Sequence, residues 1–218
     1  MALERLSPLG DEGGEPARAN KPRYPSRQER EQRAEAKAAA NAGEIANDPT
    51  GYARQLCLQL LEYGPRTRQE LATALTRKGV PEEAADEVLG RFTEVGIIDD
   101  VLFATMWVSS RHRGKGLAGG ALRQELRRKG IDDETAKEAV LQLDPDEQAQ
   151  TARSLVRRKL PSTRGLSTEA RVRRLAGMLA RKGYGAGLAF RIVKQELERE
   201  GADTEALHLD TDGLSALE

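Results

Sequence analysis

One cysteine, Cys57, is present, so no disulfide framework can form within the chain, and a reducing compartment is expected. Aromatic residues make up only 4% of the sequence, which leaves any core to aliphatic side chains. The two histidines, His112 and His208, lie far apart and no Cys/His cluster accompanies them, so no metal ligand set is expected. No apolar run is long enough to cross a bilayer, and the opening MALERLSPLG lacks the apolar stretch of a secretory leader. A soluble cytoplasmic protein is the expectation. The formal net charge is zero, so partners must be sought in how charge is distributed rather than in its sum. Strand-like alternation is missing as well, which points to an all-α fold. An ordered part of about 150 residues would bury roughly 70% of its unfolded surface, enough for a stable domain.

The two ends read as tails. Residues 1–47 are interrupted by Pro8, Pro16, Pro22 and Pro25 and mix both charge signs with few large apolar residues, so a disordered extension is expected. Within it, RQEREQRAEAKAAA (27–40) has high helix propensity but no apolar stripe, which predicts no more than a transient helix. Residues 201–218 carry Asp203, Glu205, Asp210 and Asp212 without a counter-cation and are expected to fray.

Between the tails, a single grammar is written three times. Asp48-Pro49 opens a helix carrying Tyr52, Ala53, Leu56, Cys57 and Leu60 at helical spacing. Thr67 and Glu70 form a capping box ahead of Leu71 and Leu75, and Gly79 ends that second helix. Pro81 starts a third, with Val88, Leu89 and Phe92 in register, ending at Gly96. The order returns with Asp99 or Asp100 as cap, then Phe103, Ala104, Trp107 and Val108, then Leu122 and Leu126 before Gly130, then a helix capped by Asp132. In the third round Asp144-Pro145 with Glu147 forms a capping box, and Leu175 and Leu179 precede Gly183. Gly79, Gly130 and Gly183 stand 51 and 53 residues apart, each with leucines four and eight positions earlier and an apolar residue one later. The domain reading is therefore three three-helix repeats, 48–98, 99–143 and 144–200. Helical repeats of this period stack into curved rods, here about 50–60 Å long with helices of about 12 residues each.

Catalytic signatures are poor. Cys57 sits among leucines and reads as core. GKGLAG (114–119) satisfies a dinucleotide-binding spacing, but it follows a helical segment rather than a strand, so nucleotide binding is rejected. Trp107 stands at helical spacing from Phe103 and reads as core packing. Charge segregation is more informative. Residues 111–130 hold seven Lys or Arg against Glu125 alone, and 151–194 hold twelve against Glu169 alone, while 82–100 and 132–147 are acidic. A basic surface for a polyanion or an acidic protein follows. Three-helix units also suggest helix-turn-helix domains, but the third helices of the first two units open on Glu82, Glu83 and on Asp133, Glu134, which phosphates would repel. A sequence-specific repressor is not expected.

The stretch DDVLFATMWVSSRHRGKGLAGGALRQELRRKGID (99–132) resembles the central signature of the RecX regulatory proteins, and the flanking TRKGV and ARKGY fit that family's plan over about residues 50–200. The resemblance implies tandem three-helix repeats, no enzymatic activity and no cofactor. It implies a regulator that lies in the groove of a RecA recombinase filament on single-stranded DNA and mainly inhibits ATP hydrolysis, strand exchange and co-protease activity, acting as a monomer. The interaction surface it implies comprises Arg111, Arg113, Lys115, Arg123, Arg127, Arg128 and Lys129 of the middle unit with Arg157, Arg158, Arg171, Arg173 and Arg174 of the third. Two other readings stay open: a stand-alone nucleic-acid-binding helical repeat protein, and a helical scaffold for some other acidic protein.

Overall fold

The computed structural model describes residues 26–202 and Thr204, and every regular element among them is helical. The N-terminal unit, residues 1–40, is described only from residue 26, where it is helical; the remainder of the chain forms the second unit. Helix α1 (Arg27–Asn47) covers the part of the extension where helix propensity is high. It is a continuous helix of 21 residues with none of them buried, so alanine-rich propensity and not a packed face accounts for it. Ile45 near its end packs against the first core cluster. The first 25 residues and most of the acidic tail lie outside the described residues.

Nine helices make the three repeats. The first has α2 (Pro49–Glu62), α3 (Arg68–Arg77) and α4 (Glu82–Glu94); the second has α5 (Asp100–Lys115), α6 (Gly119–Arg128) and α7 (Asp133–Leu141); the third has α8 (Pro145–Lys159), α9 (Thr168–Arg181) and α10 (Ala186–Arg199). A 3-10 turn at Leu160–Thr163 fills the extra length between α8 and α9. The caps follow the sequence: Asp48 accepts from Gly51 N, Asp99 from Leu102 N and Asp132 from Thr135 N, and both halves of the Thr67–Glu70 box are made. At α8 the box with Glu147 is not formed; the Asp144 carboxylate takes the nearer amide of Asp146.

Each repeat encloses its own aliphatic core around the paired leucines of its second helix. Leu71, Leu75, Leu122, Leu126, Leu175 and Leu179 are all fully buried, each stabilising the fold by about 1.5–3 kcal/mol of transfer free energy. Cys57 belongs to the first core, and burial pushes its thiol up to about 11. The clusters are not sealed from one another. Ala118, at the start of the second repeat's α6, is a member of the third repeat's core.

Candidate partner-binding surface

The second helices end alike. Gly79, Gly130 and Gly183 take φ of 80°, 80° and 88°. The residue after each glycine returns its amide to the carbonyl of the buried leucine: Val80 to Leu75 at 3.2 Å, Ile131 to Leu126 at 3.1 Å and Tyr184 to Leu179 at 3.1 Å. This left-handed closure satisfies carbonyls that the helix end would otherwise leave bare.

The same helix ends join the repeats. The Thr67 hydroxyl, at the start of α3, donates to the Lys129 carbonyl at the end of α6 (2.6 Å), and Lys129 Nζ lies 2.7 Å from a Glu70 carboxylate oxygen. Arg68 N donates to Asp100 across the same joint, where burial raises the Asp100 carboxyl above the usual carboxylate range. One joint further on, at the start of α6, Ala118 N donates to the Lys182 carbonyl (2.7 Å) and Gly120 N to the Gly183 carbonyl (3.1 Å). Lys182 Nζ donates to the Lys115 carbonyl at 2.7 Å. Buried His112 completes this joint: its Nδ1 donates to the Leu117 carbonyl, and its Nε2 lies 3.2 Å from Thr151 Oγ1 of α8. GKGLAG is thus the receiving loop of a helix joint.

A polar cluster surrounds half-buried Trp107, which stacks on Phe103. Its indole donates to Glu125 at 2.9 Å, and both the Arg111 guanidinium (4.0 Å) and Lys129 Nζ (4.2 Å) stand over the ring. Arg111 also pairs with Glu125 at 3.3 Å. Trp107 therefore packs inside the molecule, as expected, and also holds two cations that the sequence reading placed on an outer surface.

The twelve cations expected at the surface divide in two. Six are engaged within the molecule. Arg111 and Lys129 serve the Trp107 cluster, and Arg113 donates to the Ser109 hydroxyl. Arg127 pairs with Asp133 and holds that carboxyl below its ordinary range. Arg157 pairs with Glu196 at 2.7 Å, and Arg171, only 8% exposed, bonds Thr163 and Glu200. The other six, Lys115, Arg123, Arg128, Arg158, Arg173 and Arg174, are exposed without an ion-pair partner among the described residues.

Some of the unengaged charge converges. A groove of about 850 Å³ lies between the second and third repeats, with Arg123 and Arg127 of α6 on one wall and Arg181 and the start of α10 on the other. A smaller recess of about 320 Å³ shares Gln148 and Leu188 with it and adds Arg153 and Arg191. Helix α10 opens at Gly185 without a side-chain cap, so its first amides face an environment suited to an anion. Tyr184 lines the groove at 4% exposure, its hydroxyl without a partner among the described residues, and burial pushes that phenol up to about 12. Arg181 was not among the expected residues, although it stands two positions before its glycine, as Arg77 and Arg128 do. Among the described residues no group of three or more His, Cys, Asp or Glu is placed to hold a metal ion, and no helix is long and apolar enough to cross a membrane.

Comparison with known proteins accords with this architecture. The first, second and third three-helix domains of RecX match residues 53–92, 99–140 and 146–193. The regulatory protein RecX of Streptomyces coelicolor is 56% identical over 174 residues, 80% of this chain and 92% of that protein. That of Thermobifida fusca is 56% identical over 153 residues, 70% of this chain and 83% of its own length. The crystal structure of RecX from Lactobacillus salivarius superposes with a TM-score of 0.66 at 22% identity, covering 70% of this chain and 99% of that one. A second crystal structure, of a regulatory protein RecX, gives 0.64 at 25% identity over 71% of this chain and 77% of that one. The match to all three domains, in order and each over one observed helix triplet, assigns the chain to the RecX family of regulatory proteins.

Proposed function

We propose that this protein binds a RecA-type recombinase filament on single-stranded DNA and restrains its turnover, with the cationic groove between the second and third repeats facing the polyanion. The observation that carries the proposal is the convergence of Arg123 and Arg181 across that groove, neither having an acidic partner among the described residues. Arg128, Arg158, Arg173 and Arg174, exposed and likewise unpaired, extend the surface. Arg127 contributes less, because Asp133 already occupies its guanidinium. Contacts spread over several repeats let individually modest bonds sum to useful avidity, and a partner spanned at several points resists the rearrangement that turnover requires.

Recombinase-catalysed ATP hydrolysis on single-stranded DNA, titrated with the protein, tests this. Wild type lowers the rate, and Arg123→Glu with Arg181→Glu raises the half-inhibitory concentration about tenfold or more with the helices intact. Undiminished inhibition by the double variant sinks the surface assignment, and no inhibition by wild type sinks the regulatory reading. The groove also favours a second reading, a plain nucleic-acid binder. Equal, steeply salt-dependent affinity for bare oligonucleotide and for filament would select it.

A further inference from the structure

The two joints inside the chain display what the end of a second helix binds. In both, the carbonyl of the lysine before the glycine accepts a hydrogen bond from the start of the preceding second helix, through Thr67 Oγ1 in one and Ala118 N in the other. In both, the glycine lies so close that a Cβ would fall 2.2 Å from the receiving helix, at Gln69 Cβ for Gly130 and at Ala121 N for Gly183. In both, the lysine ammonium ends on an oxygen of the neighbour, a Glu70 carboxylate or the Lys115 carbonyl.

The first repeat makes the same end, and no described residue covers it. Gly79 has φ of 80° and Val80 closes onto Leu75, but no atom of the described residues lies within 4 Å of a Cβ built on Gly79. Arg77, Lys78 and Gly79 are exposed, with no side-chain partner among the described residues. At the other end of the series the third repeat's helix start, with exposed Ser167 and Glu169, lies out of the register that the two joints use. Aligned on the buried leucines, Thr67 and Ala118 correspond to Arg171, but α9 begins a turn earlier at its cap Ser167. Arg171 is the fourth residue of that helix, 8% exposed and tied to Thr163 and Glu200. In the register of the two joints, a second copy of the chain would therefore present Arg171, whose amide is already bonded to Ser167, and not a free hydroxyl or amide, to the cationic end.

We infer that the Arg77-Lys78-Gly79 end of α3 is a docking end for another protein, and that it takes the start of a helix with a carboxylate in its first turn. The Thr67–Glu70 start is the internal example of that ligand: it takes the Lys129 carbonyl through a hydroxyl and the ammonium through an acid. Two adjacent unpaired cations favour an acidic partner over an apolar one. The identity of the occupant as a recombinase subunit rests on the function proposed above. The docking end then makes the protein contact, and the groove between repeats two and three makes the nucleic-acid contact.

The test compares wild type, Lys78→Glu and Arg123→Glu, with Lys137→Glu as an exposed control, for binding to preformed filaments and to bare single-stranded oligonucleotide. Lys78→Glu is expected to bind filament about tenfold more weakly, with unchanged oligonucleotide affinity and an unchanged thermal midpoint. Carbodiimide coupling in the wild-type complex is expected to join Lys78 to an Asp or Glu in the first turn of a recombinase helix, identified by mass spectrometry. Wild-type filament affinity in Lys78→Glu overturns the docking end, and so does a parallel fall in oligonucleotide affinity. Coupling of Lys78 only to carboxylates outside helix starts overturns it as well. If Arg123→Glu weakens filament binding and Lys78→Glu does not, the docking end falls while the proposed function stands. A wild-type chain that ignores the filament removes the proposed function, and the recombinase as occupant with it.

Discussion

Replacing the three equivalent glycines by alanine, one at a time, separates the role of the helix end from the role of the joint. Each has a left-handed φ of 80–88°, so each alanine incurs about 1–2 kcal/mol of backbone strain. At Gly79 nothing else opposes the new methyl, and the cost stops there. At Gly130 the methyl would lie 2.2 Å from Gln69 Cβ and 2.5 Å from its Cγ. Those atoms are held by helix α3 and cannot swing away as a side-chain tip would, so about 1–3 kcal/mol is added. At Gly183 the obstacles are backbone, Ala121 N at 2.2 Å and Ala118 O at 2.6 Å. Relief requires moving the whole start of α6 and surrendering the hydrogen bonds from the Ala118 and Gly120 amides to the Lys182 and Gly183 carbonyls, a further loss of about 2–6 kcal/mol. Urea unfolding followed by far-ultraviolet circular dichroism should rank the variants Gly79→Ala, Gly130→Ala, Gly183→Ala in increasing damage. Trp107 fluorescence should report the Gly130 joint in particular, because Lys129 stands over the indole. Equal losses at all three positions would show that the glycines serve only to end helices, and the joint argument would fail.

Three further outcomes follow from single contacts. Glu196, 3% exposed between Arg157 and Arg199, has its carboxyl lowered chiefly by the Arg157 hydrogen bond. Glu196→Gln should cost about 1–2 kcal/mol at neutral pH, the lower range because both arginines are more than half exposed. A lowered folded-state carboxylate stabilises above its unfolded value, so the difference between wild type and variant should close as pH falls through the folded value; a pH-independent difference in denaturation midpoints would contradict the ion pair. Lys129→Met keeps the stem but removes the ammonium from Glu70 and Trp107, and should destabilise by about 1–2 kcal/mol with a change in Trp107 emission; unchanged stability and emission would refute the cluster's role. Tyr184→Phe deletes a buried hydroxyl without a partner and should be neutral or stabilising by up to about 1 kcal/mol in the same unfolding assay, whereas a clear loss would mean that the hydroxyl is bonded.

The helices were legible in the sequence because their signals are local. Leucines four and eight positions before a glycine, Asp or Thr caps, and glycine closures all act within a few residues, and each repeats its neighbour's message. The partners of the cations were not legible, because they come from elsewhere in the chain. Arg157 meets Glu196, 39 positions away, and Lys129 meets Glu70, 59 positions away. A count of basic residues in a window cannot distinguish these from Arg123 or Arg128, which keep their charge for solvent or a partner. Arg127 and Arg128 are neighbours in sequence, yet helical rotation sends one to Asp133 and leaves the other unpaired. The signal that could have found Arg181 was already in the alignment: Arg77, Arg128 and Arg181 hold one position of the repeat. The helix over 27–40 is legible as propensity and not as packing. That segment has no apolar stripe, and no residue of α1 is buried; only Ile45, beyond it, packs against a core.

The joints also determine how the groove can work. One wall of the groove begins at Gly119 and Gly120, beside the Ala118 and Gly120 amides that donate to the Lys182 and Gly183 carbonyls; the other includes Tyr184 and Gly185, immediately after them. Arg123 and Arg181 are therefore separated by one short run of backbone bonds and not by a flexible linker. With the two backbones fixed in this way, only the side chains are left to order when a polyanion engages both, which favours binding beyond what their charge alone supplies. It follows that Gly183→Ala should weaken polyanion binding although it removes no cation. Gly79→Ala, with the same change of residue and the same backbone strain, should leave oligonucleotide affinity as it was. Cations acting as independent surface charges would respond to neither substitution.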